Sequence, residues 1–488
     1  MSLVGDLVSR FKAQLASQII GAVVSAALIV SLARLLNPDG YGLLFLTLSV
    51  LGIFKLVARL GIARSAGRYV SEYKNTKPDQ IPHIVRTALL VNLVMIGITA
   101  PALAVSHRHI AAFFDEPEMI PFLLLGILLV ALGTSITFLE KVLQGFEAIT
   151  FVAVFDVVGR TSRLLFALGF VIAGFGALGA LWGYVLSALL TSAIGFGYLY
   201  RRVRHHSGTT AEIEQGLRRR IVEYAIPITA TNTAKILDKR VDTLLVGYFL
   251  SPIAVGYYVL ASQTVSFLEK PMSALGFTLS PTFGAQKASG NIDQISRIYE
   301  SALINSLLLY IPVGAGIILV ADPVIHLVFG TEYSGAIVVL QVLGLYAMLQ
   351  AVTKITSNGL DYLGRARGRA IARGITAVLN VVLNIALIPT IGVVGAAIAT
   401  VITFGLYTAA NIYIAAQEFD LRAAFILKNV GLIVGITCVM SAVVFVLAGY
   451  ISGWVTLVIA VGVGGLIWAV LSVATGLLDF RKLASIMT

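Results

Sequence analysis

Apolar residues occur along this chain in long runs separated by short polar segments, as in helices that cross a lipid bilayer. A spanning helix needs about 20 apolar residues, and runs of this length recur from one end of the chain to the other. The residues are 58% apolar and 12% charged, whereas soluble domains carry about 25% charged residues. The pattern predicts an all-α polytopic membrane protein with about 14 transmembrane helices, near 13–36, 41–62, 83–105, 118–138, 149–173, 176–200, 221–250, 253–280, 298–320, 335–357, 368–389, 392–416, 424–447 and 453–476.

Basic residues decide the expected orientation of these spans. The net charge is +11, and most Lys and Arg fall in alternate loops, with Arg108 alone in the loops between them. The positive-inside rule therefore predicts a multi-pass protein of the cytoplasmic (plasma) membrane with both termini in the cytoplasm. Because the charge follows the loops, nucleic acid is excluded as a partner. The single cysteine, Cys438, excludes an intrachain disulfide and a cysteine metal site.

Three short motifs recur about 214 residues apart and indicate an internal duplication. The first is Leu36-Asn37-Pro38 with Gly42 against Leu250-Ser251-Pro252 with Gly256, and the second is Gln144 to Glu147 against Asn358 to Asp361. The third, offset by two more residues, is Gly176-x-x-Gly179-Ala180 against Gly392-x-x-Gly395-Ala396. Two six-helix repeats with an even number of spans share orientation, so pseudo-two-fold symmetry about the membrane normal and a central cavity are expected.

The duplication predicts four regions. A six-helix lobe over 1–200 is followed by a basic cytoplasmic linker over 201–220 and a second lobe over 221–416. Two additional C-terminal helices occupy 417–488.

The seventh span, 221–250, carries charge where a membrane helix normally has none. Lys235, Asp238, Lys239 and Asp242 follow i, i+3, i+4, i+7 spacing, so they share one helix face, while Arg240 points away from it. A charge at the bilayer centre costs about 2.5–3.5 kcal/mol, so these side chains are expected to face protein or a water-filled cavity. Two other readings stay open: the pairs only join helices, or the true helix is Val241 to Ser262.

The second span carries Lys55 and Arg59 one turn apart with no acid beside them, which favours a ligand over structural pairing. Pairing with Glu269 or Asp238 is the alternative. In the repeat, Lys55 corresponds to Glu269, and Glu140 corresponds to Lys354.

The fifth span carries a second charged stripe, Asp156, Arg160 and Arg163. Self-pairing or snorkelling to the interface is the expected role of this stripe.

Signatures of enzymes are missing from the sequence. It contains no phosphate-binding loop, no H-E-x-x-H and no G-x-S-x-G. No cofactor or metal is expected, and any work is driven by an ion, voltage or substrate gradient. The sequence therefore indicates a transporter, with a membrane glycan polymerase or ligase as the enzyme alternative.

Two stretches of the sequence carry a resemblance to a known family. They are Asp242-x-Leu-Leu-Val-Gly247-x-Phe-Leu-Ser-Pro252-x-x-Val-Gly256-Tyr257 and Leu387-Ile-Pro389-x-x-Gly392-x-x-Gly395-Ala-Ala397-x-Ala-Thr400. Together with the duplication they resemble the polysaccharide flippases of the multidrug/oligosaccharidyl-lipid/polysaccharide exporter superfamily. The resemblance implies transfer of a polyprenyl- or dolichyl-(di)phosphate-linked sugar to the outer leaflet by alternating access.

This resemblance also implies roles for the charged residues in a cationic central cavity. The substrate phosphate is expected to bind Lys55, Arg59, Lys235, Lys239 and Arg240. Pairing or gating partners are expected to be Asp238, Asp242, Glu269 and Lys354. The partners implied are the lipid-linked glycan, membrane lipids and a coupling ion, H⁺ or Na⁺, with the chain acting as a monomer.

Two relatives of the same superfamily remain alternatives. A peptidoglycan-precursor flippase shares the fourteen-span plan and the cationic cavity. A multidrug/cation antiporter should have an acidic cavity and usually twelve spans, which the intramembrane Lys and Arg residues disfavour.

Overall fold

The structure is a computed structural model that describes residues 3–205, 212–267, 292–362, 366–418 and 420–478. The regular structure within those ranges is helical. The helices are α1 (Leu3–Arg59), α2 (Ile62–Tyr73), α3 (Ile81–Phe113), α4 (Met119–Gly145), α5 (Ile149–Phe170), α6 (Gly176–His205), α7 (Leu217–Phe249), α8 (252–267), α9 (Ile292–Val324), α10 (Ala336–Tyr362), α11 (Ala366–Ile391), α12 (Val393–Glu418), α13 (Ala423–Ala448) and α14 (Trp454–Ala474).

Membrane insertion follows from the length and polarity of these helices. Within the described ranges, 10 segments are long and apolar enough to cross a bilayer. Two of these segments, Ala16–Arg59 and Ile149–Arg204, each contain a break in the helix, at Asn37 and at Gly174. The chain is therefore an all-helical, multi-pass membrane protein, as its hydropathy predicts.

The charged seventh helix is helical where the sequence predicts it to be. α7 ends at Phe249, and the next helix begins at residue 252. The alternative helix over 241–262 is therefore wrong, because the break at Leu250 and Ser251 lies in its middle. α7 contains the five charged residues near the middle of the seventh predicted span: Lys235, Asp238, Lys239, Arg240 and Asp242.

Two compact units make up the described chain, the first ending at Gly256 and the second beginning at Tyr257. In the first unit, α4 packs against α1, α2, α3 and α6, and α5 pairs with α6 and α1. α7 packs against α1 and α2, and the Ser65 hydroxyl donates a 2.6 Å hydrogen bond to the Ile221 carbonyl. These contacts bring the charged helix and the cations of α1 into one unit.

The two recurring Leu-x-Pro turns meet within this first unit. A methyl group built on Gly42 would overlap the carbonyl oxygen of Pro252, and one built on Gly256 would overlap the carbonyl oxygen of Pro38. Each glycine thus receives the proline carbonyl of the other motif. A side chain at either position would separate the two turns, so the motif needs glycine for close approach of the backbones.

A short amphipathic helix, α2, lies in a stretch that the hydropathy pattern assigned to a loop. Its apolar face is buried, including Ile62, Ala66 and Val70. The opposite face exposes Arg64 and Arg68. Twelve residues are too few to span a bilayer, so a search for apolar runs passes over this helix.

The loop before α7 is tied to the loop after α2 by one carboxylate. Glu214 accepts hydrogen bonds from Lys77 (2.9 Å), from the Tyr73 hydroxyl (3.2 Å) and from Arg220. The bonds from Lys77 and Arg220 lower the pKa of the Glu214 carboxyl from its usual value of 4.5 to about 2. A depressed pKa stabilises the fold above the unfolded value and loses that effect as the pH falls toward 2. This connection is therefore insensitive to pH at neutrality.

In the second unit, α9 packs against α10 and α13, and α12 packs against α10 and α11. The entry to α13 is held by Glu300 of α9, which is only 1% exposed. The Glu300 carboxylate accepts bonds from the Arg422 backbone N–H (2.7 Å) and from its Nε (3.0 Å) and Nη2 (2.5 Å). This bidentate pair fixes the C-terminal helices to the core of the unit.

Glu300→Gln is expected to lower the free energy of unfolding by about 2 kcal/mol, because charged hydrogen bonds contribute about 1.5–3 kcal/mol each and the exposed Arg422 regains hydration. Thermal melting of the purified protein measures the loss. Glu223→Gln is the matched control, since Glu223 and its partner Arg219 are both largely exposed and such pairs contribute little. Equal melting temperatures for the two variants would contradict the anchoring role.

Candidate functional site

A polar cavity of ≈ 390 Å³ lies inside the first unit, where α1 ends and α2 begins. Its polar wall consists of Arg59, Arg64, Thr137, Glu140, Lys141 and Thr229. Those residues come from α1, α2, α4 and α7, so the cavity depends on the packing of four helices. Its wall carries three cations against one carboxylate.

The helix break at Leu60 and Gly61 shapes this cavity. Both residues have positive φ, 31° at Leu60 and 63° at Gly61, and both line the cavity. A non-glycine residue in this region costs on the order of 1–3 kcal/mol, so the surrounding packing must hold Leu60 there. The break ends α1 at Arg59 and starts α2, whose first-turn residues Ala63 and Arg64 line the same space. The positive end of the α2 dipole favours a negative ligand at this point.

Arg59 presents an unused hydrogen-bond donor in this setting. Its Nε is buried and has no hydrogen-bond partner among the described residues. Among the described residues, the Glu140 carboxylate attracts Arg59. Glu140, however, already accepts hydrogen bonds from Lys141 (2.8 Å) and Gln144 (3.1 Å). A buried donor without a partner is costly, and an anion in the cavity would satisfy it.

Lys55 lies one turn before Arg59 on α1. It forms no ion pair or hydrogen bond within the part of the chain that the structure describes. Its Nζ sits 3.0 Å from the position that a Cβ on Gly133 would take, so the glycine makes room for the ammonium group. The positive charges of Arg59, Arg163 and Arg240 all repel Lys55.

Arg240 of α7 completes this group of cations. Its Nη1 donates a 3.2 Å hydrogen bond to the Ser49 hydroxyl, a neutral partner. Its Nε lies 3.2 Å from the position of a Cβ on Gly52. Gly52 therefore gives Arg240 space next to α1, as Gly133 does for Lys55. The cation cluster consists of Lys55, Arg59, Arg163 and Arg240.

The structure describes the side chains of only some of the other predicted site residues. Asp242 is buried on α7, 8% exposed, and Lys354 is half-buried on α10 of the second unit. Lys235, Asp238 and Lys239 lie on α7, but their side chains are outside the described residues. Glu269 lies outside the described residues altogether.

Arg163 is the member of the cation cluster that sequence reasoning assigned to another role. The predicted pair within its stripe forms: Arg160 Nε donates to Asp156 at 2.9 Å. Arg163 instead stacks 5.1 Å from the Tyr184 ring, and its buried Nε has no partner among the described residues. The sequence already indicated that Arg163 does not pair within its own helix, because no acidic residue lies three or four positions from it.

The cluster has the chemistry of an anion site. Arginine binds phosphate through several parallel donors and stays charged, while lysine adds a compact charge. Two unit charges 4 Å apart interact by about 4 kcal/mol at an effective dielectric constant of 20, so an anion would relieve appreciable repulsion. No group of three His, Cys, Asp or Glu residues that would suit a metal occurs among the described residues.

Known proteins are similar to this chain in sequence and in fold. The family model described as "Polysaccharide biosynthesis protein" matches residues 31–338. The chain is 24% identical over 467 residues to the "Probable low-salt glycan biosynthesis flippase Agl15" of Haloferax volcanii, covering 96% of this chain and 93% of that protein.

Two solved structures share the fold. The "Lipid II flippase MurJ, inward closed conformation" has a TM-score of 0.77 at 15% identity and covers 98% of this chain and 100% of its own. An inward-facing multidrug resistance MATE family transporter of the MOP superfamily has a TM-score of 0.68 at 17% identity, covering 84% of this chain and 96% of its own. The resemblance inferred from the sequence motifs is confirmed: the chain belongs to the polysaccharide biosynthesis protein family.

Proposed function

We propose that this protein is a flippase that moves a polyprenyl- or dolichyl-(di)phosphate-linked sugar or oligosaccharide across the cytoplasmic membrane. The observation that carries the proposal is the cation cluster beside a polar cavity inside a membrane protein. Such a substrate has a permanently anionic phosphate that must cross a layer of low dielectric constant, while its prenyl tail can stay in lipid. The delivered glycan would serve surface polysaccharide biosynthesis or protein glycosylation, and family membership supports this use.

The phosphate is held in this proposal by the cations of the first unit. Arg59 and Arg240 supply hydrogen-bond donors, and Lys55 supplies charge from the same helix as Arg59. Lys235 and Lys239 of α7 act with them. Asp238, Asp242, Glu269 and Lys354 then pair with these cations or gate the cavity.

The remaining features of the proposal are architectural. Fourteen spans form two six-helix repeats related by pseudo-two-fold symmetry, over 1–200 and 221–416, with the linker 201–220 and the added helices in 417–488. The mutual contact of the two Leu-x-Pro turns supports the repeat. Both termini lie in the cytoplasm, the chain works as a monomer without an enzymatic step, and an H⁺ or Na⁺ gradient drives alternating access.

A peptidoglycan-precursor flippase is a second candidate, and the likeness to the MurJ fold favours it over an antiporter. A multidrug/cation antiporter is disfavoured by the polarity of the site. Its cationic substrates would be repelled by the four basic residues of the cation cluster, in which the three arginines also repel Lys55. Among the described residues, the Glu140 carboxylate attracts Arg59.

Leaflet-resolved measurement of lipid-linked sugars tests the proposal. In cells that lack the gene, such lipids are expected to accumulate in the cytoplasmic leaflet while the surface glycan is lost, and the wild-type gene should reverse both. Mass spectrometry of the accumulated lipid distinguishes a glycan carrier from a peptidoglycan precursor. An unchanged lipid-linked pool together with altered sensitivity to cationic drugs would instead support the antiporter.

A further inference from the structure

A second basic depression lies next to the cavity, on the outside of α2. This groove of ≈ 250 Å³ is lined by Arg64, Arg68 and Ser71 of α2 and by Lys141 and Gln144 of α4. Arg64 and Lys141 also line the Arg59 cavity. The groove and the cavity are therefore adjacent, and two cations stand between them.

The floor of the groove is built from backbone. A methyl group on Gly67 would overlap the Lys141 carbonyl, and one on Gly145 would overlap the Gly67 carbonyl. α2 and α4 thus touch through their main chains, which leaves the long basic side chains as the rim. This close contact produces an open depression instead of a filled helix interface.

The cations on the rim are held in position yet largely available. The Arg68 guanidinium stacks 4.2 Å from the Tyr224 ring, and Glu72 lies 3.9 Å away in an exposed pair. Lys141 bonds to Glu140 and Gln144. Arg64 is exposed, and its guanidinium has no hydrogen bond or ion pair within the described ranges. The groove is net positive and has donors left for a ligand.

We propose that this groove is a separate anion site that captures the (di)phosphate of the lipid-linked substrate before it enters the Arg59 cavity. The proposal rests on the proposed function and adds one binding site to the route that the substrate takes. The charges of Arg64 and Lys141 face both spaces, so a phosphate can pass from the groove to Arg59 without leaving a cationic environment. In the proposed orientation the groove opens at the cytoplasmic face, where the substrate is made.

Pyrophosphate binding to the full-length protein in phosphatidylcholine nanodiscs tests the site. Titration calorimetry of wild type with inorganic pyrophosphate should resolve two sites. Arg68→Gln, which changes a residue of the groove alone, should weaken one of them by about tenfold, the usual effect of losing a charged hydrogen bond. Arg59→Ala should remove the other. Arg218→Gln is the control, because Arg218 is an exposed arginine at the start of α7, outside both spaces.

Transport kinetics separate capture from passage through the cavity. Arg68→Gln should raise KM for the lipid-linked sugar while kcat stays unchanged, because Arg68 lines the groove and is not among the residues that line the Arg59 cavity. Arg59→Ala should instead reduce kcat. Ser71→Asp provides an independent variant that keeps both arginines, and its added negative charge should raise KM in the same way.

The proposed capture site would be contradicted if both groove variants bound pyrophosphate as tightly as the wild type and had the same KM as the wild type. A second outcome would also overturn it: phosphatidylglycerol in the nanodiscs prevents pyrophosphate from binding the groove, and Arg68→Gln keeps a normal KM. The ligand of the groove would then be a bulk lipid headgroup. If the groove variants lose binding while Arg59→Ala changes neither binding nor transport, the groove stands and the cavity mechanism fails.

Discussion

Gly42→Ala is expected to destabilise the protein by about 3 kcal/mol, at the upper end of the usual cost of overpacking. The added methyl group would overlap the carbonyl oxygen of Pro252. A flexible side chain can rotate away from such an overlap, but a backbone carbonyl can move only with its helix. The variant should therefore show a lower melting temperature and a lower yield of folded protein in fluorescence-detected size exclusion.

Gly40→Ala is the matched control on the same helix. A methyl group there meets Ala177 Cβ at 3.5 Å, an ordinary contact, and alanine is better than glycine in a helix by up to about 1 kcal/mol. The control should be neutral or slightly stabilising. A Gly42→Ala protein as stable as this control would show that the two turns do not need to touch.

Gly256→Ala should have an effect similar to Gly42→Ala, because its methyl group would overlap the Pro38 carbonyl in the same interface. Once one methyl group has separated the turns, the second adds less. The double variant is thus expected to be less destabilised than the sum of the two single variants.

The second large effect concerns transport. Arg59→Ala and Arg240→Ala should each reduce flipping of the lipid-linked sugar by about 10- to 100-fold, because each removes a charged donor worth about 1.5–3 kcal/mol from a poorly hydrated anion site. The leaflet-resolved assay measures the loss.

The thermal stability of these two variants should not fall together with their transport activity. Arg59 and Arg240 both repel Lys55, so removing either one relieves repulsion inside the first unit. Ser49 keeps a 2.8 Å hydrogen bond to the Phe45 carbonyl when Arg240 is lost. The melting temperature is therefore expected to stay equal or rise while transport falls, a combination typical of residues kept for function.

Arg108→Ala is the control for charge removal, since Arg108 is an exposed residue of α3. It should transport like wild type. Normal transport in both Arg59→Ala and Arg240→Ala would remove the cationic-cavity mechanism, and a large loss of stability in either would show that the cations serve packing.

Much of the candidate site is predictable from local spacing. Lys55 and Arg59 are four residues apart on one helix, so they share a face whatever surrounds that helix. The end of α7 before Pro252 is likewise local, because the Leu-x-Pro turn marks it. Arg163 is different: its own helix offers only Asp156 and Arg160 as neighbours, and its proximity to Lys55 depends on how α5 packs against α1.

The sequence by itself determined that the chain is a multi-pass helical membrane protein with unpaired basic residues in its spans, because hydropathy and helix periodicity are properties of consecutive residues. Only the tertiary structure decided that Arg59, Lys55, Arg163 and Arg240 gather in one unit beside a cavity, and that α2 and α4 form the neighbouring groove. Both depend on glycines. Gly52 and Gly133 leave space for the side chains of Arg240 and Lys55, and Gly67 and Gly145 let the backbones of α2 and α4 touch under the groove. The partner of a glycine across a helix interface is set by three-dimensional packing, which no local pattern contains.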